Sequence, residues 1–425
     1  MKEYIALAIF AIIYILIVGR IRFKVPIWAA MLIGATLMLA FQVIGLENAI
    51  KSIQLDVIMF LFGMFSIVSA LEKSGMLRLF AIKILSKSKT PNSLLMMFVV
   101  GMGLLSAFLV NDAIALVGIP LVIYISKHLE MRPNVLLIAL AFGVTVGSVM
   151  TPIGNPQNLI IALQSGISLP LVNFIKILSI PTLINLFLTY FILKIYFKKD
   201  LLHAHTTLNS KILEEHTIEN PHLAKLSVAI LIITIAGFFV SEILHFVHLA
   251  EIRISIVAMG GAAILYAVSS QRREIIKGVD YSVLVFFAAM FVVTAALWSS
   301  GAISLFMKYL PSPDPNNVFQ SNALISAYSI TFSQILSNVP FVALYNYIMI
   351  GNGFTDTHVV QWMMLAASST IAGNLTILGA ASTIIIIQAT ESRGVRAFTF
   401  LEFLKIGSIV TMVNLAVYYL FLVIL

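Results

Sequence analysis

Long apolar runs recur from one end of this sequence to the other, and they limit its fold more than any other feature. A helix that crosses a bilayer needs about 20 mostly apolar residues. Runs of this kind occupy 4–19, 25–44, 57–71, 134–163, 181–197, 225–246, 252–270, 281–298, 358–390 and 406–425. In lipid the backbone must satisfy its own hydrogen bonds, so such runs fold as helices. Composition agrees: 60% of residues are hydrophobic and 10% charged, against about 25% charged in a soluble domain. An ordinary water-soluble enzyme is excluded, and so is a disordered chain. Cysteine is absent, so no disulfide framework, thiolate metal site or cysteine nucleophile exists. The net charge of +8 is not a nucleic-acid footprint, because the basic residues sit in short breaks between apolar runs and form no stripe. The first run ends in Arg20, Arg22 and Lys24 without a small-residue cleavage site, which predicts a retained span rather than a signal peptide. The expected setting is a multi-pass protein of the cell membrane, with the lipid bilayer as partner and no nucleic acid.

Four stretches do not read as plain spans. The runs 134–163 and 358–390 are too long for one helix and carry Gly, Pro and Asn interruptions, which predicts two broken helices. The stretches 91–126 and 321–350 are cut at their centres by Asn111-Asp112 and by Ser337-Asn338-Val339-Pro340. Each half has about 15 residues, short for a span, which predicts two re-entrant hairpins. With the N-terminus outside, all of the 26 Lys and Arg residues except Lys2, Lys51, Lys176, Arg253 and Lys308 fall on the inner side, as the positive-inside rule requires. The C-terminus is then outside as well. The polar stretch 198–224 reads as a cytoplasmic linker. The expected organisation is scaffold spans in 1–50, a first repeat in 51–197, the linker, scaffold spans in 225–270 and a second repeat in 271–425.

The repeat is written in identities. Met64-Phe65, Ala70-Leu71 and Ser74-Gly75 match Met290-Phe291, Ala296-Leu297 and Ser300-Gly301; Ser106 and Asn111 match Ser333 and Asn338; Thr151 and Gly154 match Thr376 and Gly379. The charge argument runs 57–71 and 281–298 in opposite directions. The expected fold is therefore an all-α polytopic membrane protein: an inverted-topology repeat with about ten spanning helices, two re-entrant hairpins and two broken helices. Inverted repeats with broken helices mark secondary transporters.

Irregular backbone at membrane depth is tolerated only where protein or a water-filled cavity satisfies it, so the four broken segments predict one polar cavity. A hairpin tip brings the carbonyl end of one half-helix, suited to a cation, next to the N–H end of another, suited to an anion or polar oxygen. Asn111 and Asn338 offer both a carbonyl and an amide; Ser106 and Ser333 lie about a turn and a half earlier. The breaks around Thr151-Pro152-Ile153-Gly154-Asn155-Pro156-Gln157-Asn158 and Gly373-Asn374-Leu375-Thr376-Ile377-Leu378-Gly379 place Asn155, Asn158, Asn374 and Thr376 among the candidate substrate ligands, with Asn111, Asp112 and Asn338. The plain alternative for their Gly and Ser positions is close helix packing. Asp112 reads as the only acidic residue at membrane depth. It caps the second half of its hairpin, ligates a cation, or carries a proton.

These segments resemble the ion-transporter superfamily of arsenite-efflux permeases, citrate/metal symporters, divalent-anion/sodium symporters and sodium/proton antiporters. The strings that carry the resemblance are Val110-Asn111-Asp112-Ala113, Thr151 to Asn158, Ser337-Asn338-Val339-Pro340 and Gly373 to Ser382. The resemblance implies a homodimer of inverted repeats in which a transport domain with both hairpins moves against a scaffold in an elevator motion. It implies one cation at Ser106, Asn111 and Gly154, with Asp112 beside it, and another at Ser333, Ser337, Asn338 and Gly379. Both tips lack the Thr of the dicarboxylate branch, and the Asn-Asp pair is similar to arsenite/silicate-type permeases. A carboxylate at the tip would also repel a dianion.

The functional expectation is a secondary transporter, not an enzyme, that moves a small anion or oxyacid (arsenite-like or citrate-like) coupled to Na+ or H+. The alternative is a sodium/proton antiporter without an organic substrate. No cofactor and no metal beyond Na+ is expected. The sequence has no Gly-x4-Gly-Lys-Ser/Thr string, so the driving force expected of this chain is an ion gradient.

Overall fold

The computed structural model describes residues 2–18, 23, 25–85, 88, 90–203, 220–250, 252–307, 310–377 and 379–424. Arg20, Arg22, Lys24, Lys87, Lys89, Lys211 and Lys308 of the charge argument lie outside the described residues, as do 204–219 of the expected linker and Leu378 of the second break.

Among the described residues every regular element is helical. Six helices are long and apolar enough to cross a membrane: Leu55–Lys73, Pro133–Met150, Pro170–Tyr196, Pro221–Phe246, Tyr281–Ser299 and Phe400–Ile424. Shorter apolar helices are Ile27–Ala40, Pro91–Ser106, Ile254–Val268 and Val359–Ala372. The chain is a polytopic helical membrane protein. Local sequence sets where its helices begin. Pro91, Pro133, Pro156, Pro170 and Pro221 each open a helix, where the missing N–H is not needed. Thr90, Asn155, Asn220 and Asn317 precede helices and accept a backbone N–H of the first turn.

Both hairpins are present. The first rises through Pro91–Met96, a wider π turn over Met97–Gly101 and Met102–Ser106, and returns as Asn111–His128. The second rises through the uninterrupted helix Val318–Leu336 and returns as Asn338–Gly351. The broken helices run from Pro133–Gly147 through a tight turn, Ser148–Met150, to Pro156–Gln164, and from Val359–Ala372 to Ala381–Glu391. Five short helices, Leu46–Ser52, Met76–Leu85, Lys198–His203, Arg272–Lys277 and Ala302–Met307, lie outside the sequence expectation, Lys198–His203 at the start of the stretch read as a linker. They are too short for a hydropathy pattern to reveal.

The order of elements in 2–196 recurs in 221–424, and the packing is reciprocal. Ile27–Ala40 lies on Tyr281–Ser299, and its counterpart Ile254–Val268 lies on Leu55–Lys73. The return arm of the first hairpin meets Ala381–Glu391; the return arm of the second meets Pro156–Gln164. Two-fold related copies pack in this way. The same contacts divide the molecule into two groups. Lys2–Val18, Ile27–Ala40, Leu55–Lys73, Pro221–Phe246, Ile254–Val268 and Tyr281–Ser299 pack on one another, while the hairpins, the broken helices, Pro170–Tyr196 and Phe400–Ile424 form a second body against them.

Candidate functional site

Each hairpin tip is stitched to the break of its own half by the same bond. Asn111 N donates to Gly154 O at 2.9 Å, and Asn338 N donates to Gly379 O at 3.2 Å. The sequence repeat matches Asn111 with Asn338 and Gly154 with Gly379, and the structure gives both halves the same tip-to-break bond. Both asparagines are buried and open a return helix, so the partial positive charge of two helix N-termini lies beside broken backbone.

In the first half the polar groups are consumed locally. Ser106 Oγ donates to Gly103 O (2.7 Å) and Val144 O (2.8 Å). Thr151 Oγ1 donates to Ala107 O and accepts from Gly154 N. Asn155 Oδ1 caps the second half-helix by accepting Asn158 N at 2.9 Å, while its Nδ2 reaches Ser148 O, Ser148 Oγ and Thr370 Oγ1. Asn158 Nδ2 donates to the carbonyls of Ser148, Val149 and Thr151, and its Oδ1 accepts from Thr370 Oγ1 at 3.2 Å. Gln157 Nε2 also reaches Thr370 Oγ1. Two helices approach so closely here that a Cβ on Gly147 would run into the backbone of Gly103, and one on Gly154 into Ser148. Asn111 turns its Oδ1 onto the Asp112 N–H at 2.9 Å. Asp112 is half-buried in the first turn of the return helix, where the helix dipole favours a carboxylate. It lies within electrostatic range of Asp280, the residue that caps Tyr281–Ser299.

The second half differs at every equivalent point. Ser333 Oγ, Asn338 Oδ1, both side-chain polar atoms of Asn374, Ser382 Oγ and Thr383 Oγ1 are buried without a hydrogen-bond partner. Thr376 Oγ1 does not reach backbone as Thr151 does; it donates to Gln334 Oε1 at 2.8 Å, and Gln334 Nε2 donates to Ala372 O at 2.8 Å. Ser337 Oγ lies 3.5 Å from Gly379 O. A Cβ on Gly373 would meet Asn338 Nδ2, which places that amide over the break next to Asn374. Ser337 holds φ 71°, ψ 158°, a region that costs a non-glycine residue about 1–3 kcal/mol.

An unsatisfied buried polar group costs about 1–3 kcal/mol. Six such atoms around one break form a set of neutral oxygens and amides with the chemistry to receive a ligand. Hard monovalent and divalent cations take oxygen ligands of this type. Among the described residues no group of three or more His, Cys, Asp or Glu stands together to hold a transition metal.

Sequence reasoning missed Gln334, Gln157, Thr370 and Glu242. Gln334 occupies the position of Ala107 in the first half, and that mismatch within an otherwise matched repeat was the available signal. Glu242 lies inside Pro221–Phe246, is 5% exposed, and is the one charged side chain among the described residues to be buried.

Comparison with known proteins accords with this geometry. A family model described as citrate transporter matches residues 11–367. The uncharacterized transporter Rv2684 of Mycobacterium tuberculosis is 28% identical over 97% of this chain and 96% of its own. The silicon efflux transporter LSI3 of Oryza sativa subsp. japonica is 25% identical over 97% and 94%. Among solved structures, that of MtrF of Neisseria gonorrhoeae, described within a class of antimetabolite efflux pumps, superimposes with a TM-score of 0.52 at 15% identity, covering 92% of this chain and 84% of that one.

Proposed function

The chain belongs to the citrate transporter family, and on that premise we propose that it is a sodium-coupled secondary transporter of a small oxyacid or singly charged anion, working by an elevator motion. Membrane transport itself follows from family membership; the substrate, coupling ion and motion are the proposal. The observation that carries it is the set of unpartnered buried atoms around the second break. Ser333 Oγ, Asn338 Oδ1 and Asn374 Oδ1 supply neutral oxygens for a weakly hydrated cation, with Ser337 and Gly379 beside them. None of these groups titrates near neutral pH, which favours Na+ over H+ at this position. The helix end that opens at Asn338, with Thr376 at the rim, faces the substrate, and the Asn111 end, whose first-turn N–H groups are bonded, contributes its dipole alone. Asp112 at the first tip disfavours a multiply charged free anion, as the resemblance to silicate-type permeases implied. Asn155 and Asn158, whose polar atoms are engaged with neighbours, serve this site by holding the break in shape.

The body with both hairpins moves against the remaining helices, and two copies associate in the bilayer through the latter. Proteoliposomes loaded with a panel of oxyacids under a sodium gradient test the proposal. Saturable flux that needs sodium and falls at least about tenfold in Asn338→Ala supports it. Flux indifferent to sodium overturns it. A sodium/proton antiporter remains the second reading, favoured by Asp112 next to Asp280: sodium-driven proton flux lost in Asp112→Asn and independent of every oxyacid would establish that reading instead.

A further inference from the structure

One buried charge bridges the two bodies of the fold. Glu242, near the end of Pro221–Phe246, accepts Leu171 N at 2.6 Å through Oε1 and Val172 N at 3.2 Å through Oε2. These are N–H groups of the first turn of Pro170–Tyr196, which no carbonyl of that helix can serve. The carboxylate therefore caps a helix that belongs to the other body. The approach to that helix is tight. Leu169 sits in the left-handed region at φ 52°, Gly166 has φ +75°, and Asn173 Nδ2 ties back to Ser168 O at 2.7 Å. The first body thus holds the second by a carboxylate on a positive helix end.

We propose that Glu242 is a proton-binding site that latches the two bodies together when ionised and releases them when protonated. The inference rests on the two-body reading above. When the bodies slide, both bonds to Leu171 and Val172 must break. A bare carboxylate left buried without those partners is costly, and taking a proton from water removes the charge. A protonated carboxyl is a weaker acceptor and has no charge to set against the helix end. The latched state holds one proton fewer than the released state, so rising pH favours the latch and falling pH favours release. The limit for one proton is a tenfold change in the population ratio per pH unit. Glu242 sits on the body that does not carry the substrate, so the proton gates movement and is not itself cargo.

Other charged groups lie on the elements around this end. His245 follows one turn later on Glu242's own helix, and His248 lies beyond it. Lys176 is exposed on the capped helix, and Asp356 stands against Gly166. On the two helices behind, Asp56 pairs with Arg253 and accepts from Ser255 Oγ at 2.6 Å, so those two charges are set against each other. His245 is the neighbour a test must separate from Glu242.

The chain has no native cysteine, so a spin-label pair at Ile180→Cys and Ile233→Cys, both exposed and one on each body, reports the inter-body distance without background. The measurement is pulsed electron resonance of the protein in lipid nanodiscs from pH 8 to 5.5, with no sodium and no substrate. The expected result is one main distance at pH 8 and a second population that grows as pH falls. Glu242→Gln is expected to show the second population already at pH 8 with little further response, while His245→Gln keeps the parent response. The titration of the unaltered Glu242 protein stands even if Glu242→Gln fails to fold. A second population that appears but ignores both pH and Glu242 overturns the latch and leaves the moving bodies intact. A single unchanging distance in every sample overturns both.

Discussion

The two breaks in this molecule descend from the same sequence pattern and have taken opposite chemical states. Around Thr151–Asn158 the side-chain oxygens and amides of Ser106, Thr151, Asn155 and Asn158 are bonded to protein. Around Gly373–Gly379 the matching region leaves Ser333, Asn338, Asn374, Ser382 and Thr383 with unpartnered atoms. Three substitutions explain most of the difference. Asn155 is replaced by Ala380 and Asn158 by Thr383, which removes the amides that tie the first break to Ser148, and Ala107 is replaced by Gln334, whose side chain takes over the bond to the break threonine. A repeat can therefore keep its backbone twice and satisfy its side chains once. On the proposed function the first break is a structural joint and the second the place that a ligand completes.

This contrast is breakable. The largest effect is expected from Gly147→Ala, whose new methyl would meet the Gly103 backbone. It should cost about 3 kcal/mol or more, or abolish folded yield, read by thermal unfolding in detergent. Next is Asn158→Ala, which removes the side-chain donor to the Val149 and Thr151 carbonyls and the acceptor of the Thr370 hydroxyl and should destabilise by about 2–4 kcal/mol. Its counterpart Thr383→Ala, which removes an unpartnered oxygen, should stay within about 0.5 kcal/mol. Equal losses at the two positions would break the comparison. Asn338→Ala should leave the unfolding temperature without sodium nearly unchanged, yet raise the half-saturating sodium concentration for flux by about tenfold, or 1.4 kcal/mol. An effect of opposite sign is expected from Ser337→Gly, which relieves the backbone at φ 71° and should stabilise by about 1 kcal/mol, again by thermal unfolding.

Much of the architecture could be read in advance because bilayer thickness fixes helix length and backbone satisfaction forbids loose breaks. The interruptions at Asn111-Asp112 and Ser337-Asn338 predicted the two hairpins for that reason, and both tips contact the glycines that the family resemblance grouped with them. Whether a given polar residue is free or spent was not legible. Asn158 and Asn374 look alike in sequence; one makes bonds with both side-chain polar atoms and the other with neither. Their states depend on Thr370 and Ser148, which belong to other helices or turns and follow no local spacing rule. The bonding of Glu242 was hidden for the same cause, since its partners are backbone N–H groups of Leu171 and Val172, which carry no side-chain signature. The π turn in the first hairpin escaped notice too: Met97–Gly101 is compositionally ordinary, and its distinguishing neighbour is Gly143, packed on the carbonyls of Phe98 and Val99.

The most direct measurement is a sodium titration of thermal stability at constant ionic strength on the purified parent, Ser106→Ala and Ser333→Ala. The parent and Ser106→Ala should show the same sodium-dependent rise in Tm, Ser106→Ala from a lower starting point, while Ser333→Ala should start level with the parent and rise little. A rise that disappears in Ser106→Ala and survives intact in Ser333→Ala would contradict the assignment of the binding half.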